Sequence, residues 1–84
     1  MAGSLKAKRS VIKSLVARLR QDLNCSVSEV GYQDLWQRAV LGVAVVSGTV
    51  SGARKVAQQV EQVVYREPRV EVVRVHVELV TPEA

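Results

Sequence analysis

The stretch VEVVRVHVELV, residues 70–80, alternates with a period of two: Val73, Val75, Val77 and Leu79 fall on one side of an extended chain, and Arg74, His76 and Glu78 on the other. That pattern reads as a half-exposed β-strand. A strand cannot stand alone, because its backbone N–H and C=O groups need partners. The chain must therefore build a sheet around this segment or leave it unfinished. Val72 beside Val73 predicts a bulge or a change of environment near the start of the strand.

Two further segments offer themselves as sheet partners. CSVSEV (25–30) alternates, and AVLGVAVVS (39–47) places Ala39, Leu41, Val43 and Val45 on one face and Val40, Gly42, Ala44 and Val46 on the other, with GYQDLWQR as the connection between the two. The second is apolar on both faces, and helices can cover only one. The remaining face predicts an association surface, unless long side chains such as Arg74 lie across it.

Two helices complete the pattern. Ser4 followed by Leu5, Ile12, Leu15, Val16, Leu19 and Leu23 predicts a capped helix over about 4–23, ended by Asn24 in a left-handed conformation. After the turn-rich SGTVSG (47–52), Ala53, Val56, Ala57, Val60, Val63 and Val64 repeat at helical spacing until Pro68 stops them. The order is α-β-β-α-β, an α+β two-layer arrangement in one domain, 1–84. Valine supplies 19 residues and phenylalanine none, so the core must be made of small branched side chains.

At 84 residues the chain is near the size where one core supplies only a few kcal/mol, so self-association would help it. No apolar run approaches the roughly 20 residues that cross a bilayer. The basic N-terminus lacks the apolar stretch of a secretory signal, and a lone Cys25 excludes an internal disulfide, so a reducing cytoplasm is expected. Net charge is +4, and Lys6, Lys8, Arg9, Lys13, Arg18 and Arg20 all precede the first acid, Asp22. An excess concentrated in this way favours an anionic partner.

Three stretches, SLKAKRSVIKSLVARLR, NCSVSEVGYQDLWQRAVLGVAVVS and the valine-rich end, make the sequence similar to the bacterial YlxP-like family, a domain of unknown function. The resemblance implies a ferredoxin-like β-α-β-β-α-β fold and a genetic setting among translation-initiation and ribosome-maturation factors. The departure is at the start. Family members open with an alternating strand and a proline-glycine turn, whereas Met1, Ala2 and Gly3 match only the turn. That strand would lie between the strands at 39–47 and 70–80, and each buried unpaired group left behind costs about 1 to 3 kcal/mol. Either the two strands close up in parallel, or a second chain supplies the pairing, or the natural start is longer. For the chain as given, self-association is the expectation.

Candidate sites follow from charge and position. Lys6, Arg9, Lys13 and Arg20 lie along one line of the first helix, whereas Arg18 has Asp22 at i+4 to neutralise it. Such a row can track phosphates, or it can be a solvated flank. The connection offers Tyr32, Gln33, Asp34, Trp36, Gln37 and Arg38 as an interaction loop. Within it, Trp36 is expected to cap the core and Asp34 a local turn, leaving Gln33, Gln37 and Arg38 for contact. Ser51, Gly52, Arg54 and Lys55 sit at a helix start that can hold an anion, although Gly48 and Gly52 are too close for a P-loop and a capped turn explains them as well. Aromatics are absent from the strands, so RNA recognition by base stacking on a sheet is disfavoured.

No spacing marks a catalytic triad, a carboxylate pair, a metal site or a cofactor motif; Cys25 and His76 are expected to be inert and superficial, respectively. The expected function is a non-enzymatic cytoplasmic binding protein associated with ribosomal RNA or an assembling ribosomal particle. The rival is a homo-oligomeric regulatory module that binds a small anionic ligand.

Overall fold

The structure, a computed structural model, describes residues 3–82. Met1 and Ala2 of the expected N-terminal turn lie outside the described residues. Helix α1 spans Leu5–Asp22, strand β1 Ser26–Gly31, strand β2 Val40–Ala44 and helix α2 Val50–Tyr65. The α+β class and the α-β-β-α succession expected of a ferredoxin-like half-fold are present.

Both helices begin as their caps dictate. Ser4 Oγ accepts from the Ala7 N–H at 3.1 Å, and Thr49 Oγ1 accepts from the Gly52 N–H at 3.0 Å, each satisfying a first-turn donor and contributing about 1 kcal/mol. The second helix therefore starts inside the turn-rich stretch, ahead of Ala53. Gly52 is needed there, because a Cβ at that position would collide with Ser47 Oγ. The end of α1 departs from expectation. Leu23, not Asn24, is the capping residue, with extended backbone and its N–H on the Leu19 carbonyl at 3.0 Å.

Strands β1 and β2 pair antiparallel, Ser26 opposite Ala44, Val27 opposite Val43 and Glu29 opposite Leu41. A bulge follows, in which Gly31 faces Val40 and Val30 is skipped. The helices cover one side of this hairpin. Leu15 and Leu19 from α1, Val27 from β1 and Val60 from α2 form the buried core, bordered by Val16, Leu41, Val63 and Val64. On the other side Val30 leans over Gly42, so close that a Cβ there would stand 3.1 Å from its Cγ1. Val40 and Val46 of that face are exposed, as the two-faced pattern predicted. Val30 supplies cover at Gly42.

The last segment corrects the expectation of a third strand. Residues 70–80 are extended, but the sheet has two strands among the described residues, and 70–80 joins neither. Val73, Val77 and Val80 are 83%, 60% and 87% exposed. The radius of gyration, 13.7 Å, exceeds the value of about 12 Å expected of a compact chain this long. The physical reason is the unfilled middle position: no described strand stands between β2 and 70–80, so the alternating segment has no ladder to join.

Between α2 and this segment, Arg69 clasps Glu67. Its Nε donates to Glu67 Oε1 at 2.6 Å, its Nη2 to Oε2 at 3.0 Å and its backbone N–H to Oε1 at 3.1 Å. The Arg69 side-chain hydrogen bonds, reinforced by its backbone N–H, hold the Glu67 carboxyl down at about 2, and the same contact raises Arg69 above its ordinary value.

Candidate nucleic-acid interface

The cationic edge of α1 follows from helical geometry. Lys6, Arg9 and Lys13 recur at i, i+3 and i+7 and fall away from the stripe of Val11, Ile12, Leu15 and Leu19 that faces the core. All three are exposed. Lys6 and Lys13 have no acidic partner within ion-pair distance among the described residues. Arg9 Nη2 stands 4.0 Å from Asp34 Oδ1, with the two side chains 61% and 97% exposed. An exposed pair at that distance contributes between nothing and about 1 kcal/mol, so the guanidinium is free to exchange partners.

The fourth member of the row differs. Arg20 donates Nη2 to the Val27 carbonyl at 2.8 Å and is tied to the start of β1. Arg18 pairs with Asp22 at 3.8 Å, the neutralisation its spacing implied. The exposed cations without an acidic partner at ion-pair distance among the described residues are thus Lys6 and Lys13, with Arg9 loosely paired between them.

That half lies against the 32–38 loop, and the residue responsible was not singled out in the sequence. Lys8 is fully buried; its Nζ donates to the Tyr32 carbonyl at 2.7 Å and lies 2.7 Å from Glu29 Oε2. Glu29 Oε2 is itself buried and makes no aligned hydrogen bond, so the contact with Lys8 is an ion pair whose directed bond goes to the carbonyl. The signal was present in the sequence. Lys8 is in helical register with Val11, Ile12, Leu15 and Leu19, a cation in the apolar stripe, and Glu29 is on the inward face of β1 between Val27 and Gly31.

Within the loop the structure redistributes the expected roles. Tyr32 adopts a left-handed conformation, φ 56°, and its carbonyl also accepts from the Leu35 N–H at 3.0 Å. Gln33, assigned to contact, donates Nε2 to the Glu29 carbonyl at 2.8 Å and braces the turn. Asp34, expected to cap that turn, points to solvent beside Arg9. Trp36 is 41% exposed and stands outside the core cluster, so it does not cap the core. Gln37 and Arg38 are exposed, as a contact role requires.

The helix-start candidate is separate. Because β2 runs away from the 32–38 loop, the N-terminus of α2 is at the opposite end of the hairpin from that loop. Ser51, Arg54 and Lys55 are exposed there, but the Gly52 N–H is already taken by Thr49 Oγ1. This is the capped turn. Cys25 is half-buried with its Sγ 3.7 Å from the Leu19 carbonyl, and His76 meets Glu78 at 3.1 Å on the exposed face. No group of three or more potential metal ligands is found among the described residues. None of the described helices is long and apolar enough to cross a membrane.

Comparison with known proteins gives two matches. The family described as "Protein of unknown function (DUF503)" matches residues 1–77. The "Uncharacterized protein YlxP" of Bacillus subtilis (strain 168) is 43% identical over 70 residues, covering 83% of this chain and 76% of the Bacillus protein. No solved structure matches.

Proposed function

We propose that this chain, which belongs to the DUF503 family of proteins of unknown function, is a non-enzymatic cytoplasmic binding protein that docks ribosomal RNA, free or in a ribosomal particle. The docking edge is Lys6, Arg9 and Lys13 of α1 with Gln37 and Arg38 of the adjoining loop. One observation supports this reading: on the N-terminal half of α1, Lys6 and Lys13 are exposed with no described carboxylate at ion-pair distance, and Arg9 between them has only the exposed Asp34, 4.0 Å away, among the described carboxylates. A helix holds them at fixed spacing, and buried Lys8 fixes the loop beside them. Contacts of this kind read phosphate geometry, not base sequence. The metabolite-binding alternative draws less support, because the first-turn donor at Gly52 is already satisfied.

The test is filter binding of ribosomal RNA at two salt concentrations. Phosphate contacts by the three helix cations alone predict that affinity falls at least roughly twenty- to forty-fold for a fourfold rise in salt. The Lys6→Glu/Lys13→Glu variant should lose most of the low-salt binding while keeping the helical circular dichroism of the parent. Equal retention of parent and variant overturns the proposal, as does the absence of binding by the parent at low salt.

A further inference from the structure

Strand β1 pairs with β2 on one side, and its other edge carries the backbone groups that β2 does not use. In an antiparallel ladder each residue turns both its N–H and its C=O toward the partner or both away from it, in alternation. Val27 and Glu29 are two residues apart, so their carbonyls point the same way. Both accept from side chains outside the sheet: Arg20 Nη2 donates to the Val27 carbonyl at 2.8 Å, and Gln33 Nε2 donates to the Glu29 carbonyl at 2.8 Å. Arg20 reaches across from α1 and Gln33 from the loop that follows β1. Donors that arrive from a helix and a loop, not from β2, place these carbonyls on the edge away from β2. Two parts of the fold thus converge on the acceptors that an added strand would need.

Two further features of the same strand act in the same direction. Gly31 faces Val40 with Val30 skipped, a bulge that bends and twists the strand out of the flat geometry on which another strand adds. Glu29 turns its carboxylate inward onto buried Lys8. A bulge, an inward-pointing charge and a short strand are ways in which folded proteins stop a sheet edge from pairing with another chain, and β1 is six residues long.

We propose that Arg20 and Gln33 are edge guards that close this side of β1 to strand addition, and that the strand they exclude is β1 of a second copy. An antiparallel seam between two copies of β1 is self-complementary, because Val27 of each chain would exchange backbone hydrogen bonds with Glu29 of the other, as a twofold contact requires. The two side chains occupy the acceptors of that seam in advance. Arg20 is thereby separated from Lys6 and Lys13: its guanidinium is committed to a backbone carbonyl and not to an anion. The guard role concerns this edge alone and is independent of the docking edge on α1.

Sedimentation equilibrium and amide hydrogen exchange, applied to the parent and to Arg20→Met/Gln33→Glu, test this. Methionine keeps an unbranched aliphatic chain and glutamate the shape of glutamine, but neither side chain can donate to a carbonyl at neutral pH. Both positions are exposed, so the core is untouched. Whatever mass the parent has, the double variant should have about twice that mass or more at the same micromolar concentration. The N–H groups of Val27 and Glu29, which share the guarded edge with the two carbonyls, should exchange roughly tenfold or more slowly in the variant than in the parent. Association through partial unfolding would leave these two amides as fast as in the parent or faster. A double variant with the mass of the parent overturns the proposal, as does one that associates without slower exchange at Val27 and Glu29.

Discussion

Lys8 Nζ and Glu29 Oε2 lie 2.7 Å apart beneath the surface, the lysine fully buried and the glutamate side chain 17% exposed. This pair joins the first turns of α1 to the far end of β1, and through the Tyr32 carbonyl it holds the loop against the helix. A buried charge stripped of its partner is costly, whereas a buried pair replaced by apolar residues of similar volume is often neutral. Lys8→Met should therefore destabilise the fold by about 3 to 5 kcal/mol, and Lys8→Met/Glu29→Leu should recover most of that loss. Urea denaturation of the two single variants and the double variant measures the coupling. Additive losses would show that the two side chains do not act as a pair.

Among the described residues the acidic neighbour of Arg9 is Asp34, 4.0 Å away and in loose competition with any anionic partner. Asp34→Asn removes that competitor and a negative charge from the docking edge without touching the turn, which Gln33 and Leu35 close. The variant should bind ribosomal RNA a few-fold more tightly than the parent at low salt, with the gain shrinking as salt rises. Weaker binding by Asp34→Asn would mean that the carboxylate contributes to the contact.

Glu67 makes stability depend on acid pH in a defined sense. Its folded value, about 2, is below the ordinary 4.5, so the folded state binds the proton less readily than the unfolded chain does. The clasp with Arg69 therefore contributes fully above about 4.5 and is lost as pH falls through about 2. The stability difference between the parent and Glu67→Gln should be constant near neutrality and should disappear across that window. Arg69 is half open to water, so the difference itself is small. A difference unchanged down to pH 2 would refute the assignment.

Tyr32 occupies left-handed backbone, φ 56°, a region that penalises a Cβ by about 1 to 2 kcal/mol. Its contribution to the Lys8 anchor is a backbone carbonyl, which any residue supplies. Tyr32→Gly should consequently be more stable than Tyr32→Ala by about 1 kcal/mol, as read from thermal or urea midpoints. The opposite order would place the loop in another conformation.

Local elements were legible because their causes are local. The stripe of Ile12, Leu15 and Leu19, Ser4 as a cap, and the alternation of β1 and β2 each depend on neighbours a few residues away, and all are present. The boundaries shifted where a different residue takes the cap: α1 ends at Asp22 with Leu23 extended behind it, and α2 starts at Val50 because Thr49 and Ser47 organise the turn. The loop was the least legible part. Gln33 braces it and Trp36 stays outside the core, and the loop backbone is tied by Lys8, a residue 24 positions before Tyr32.

By itself the sequence determined the α+β class, the two helices, the hairpin and the concentration of positive charge at the N-terminal end, since periodicity and composition act along the chain. Only the tertiary structure decided which cations are free. Arg20 is drawn to Val27, Lys8 is buried against Glu29, and Lys6 and Lys13 remain in water. The structure also decided that 70–80, although patterned as a strand, stays unpaired. A strand is completed by hydrogen bonds to a neighbour, and the existence of that neighbour is a property of the assembled fold, not of the segment that needs it.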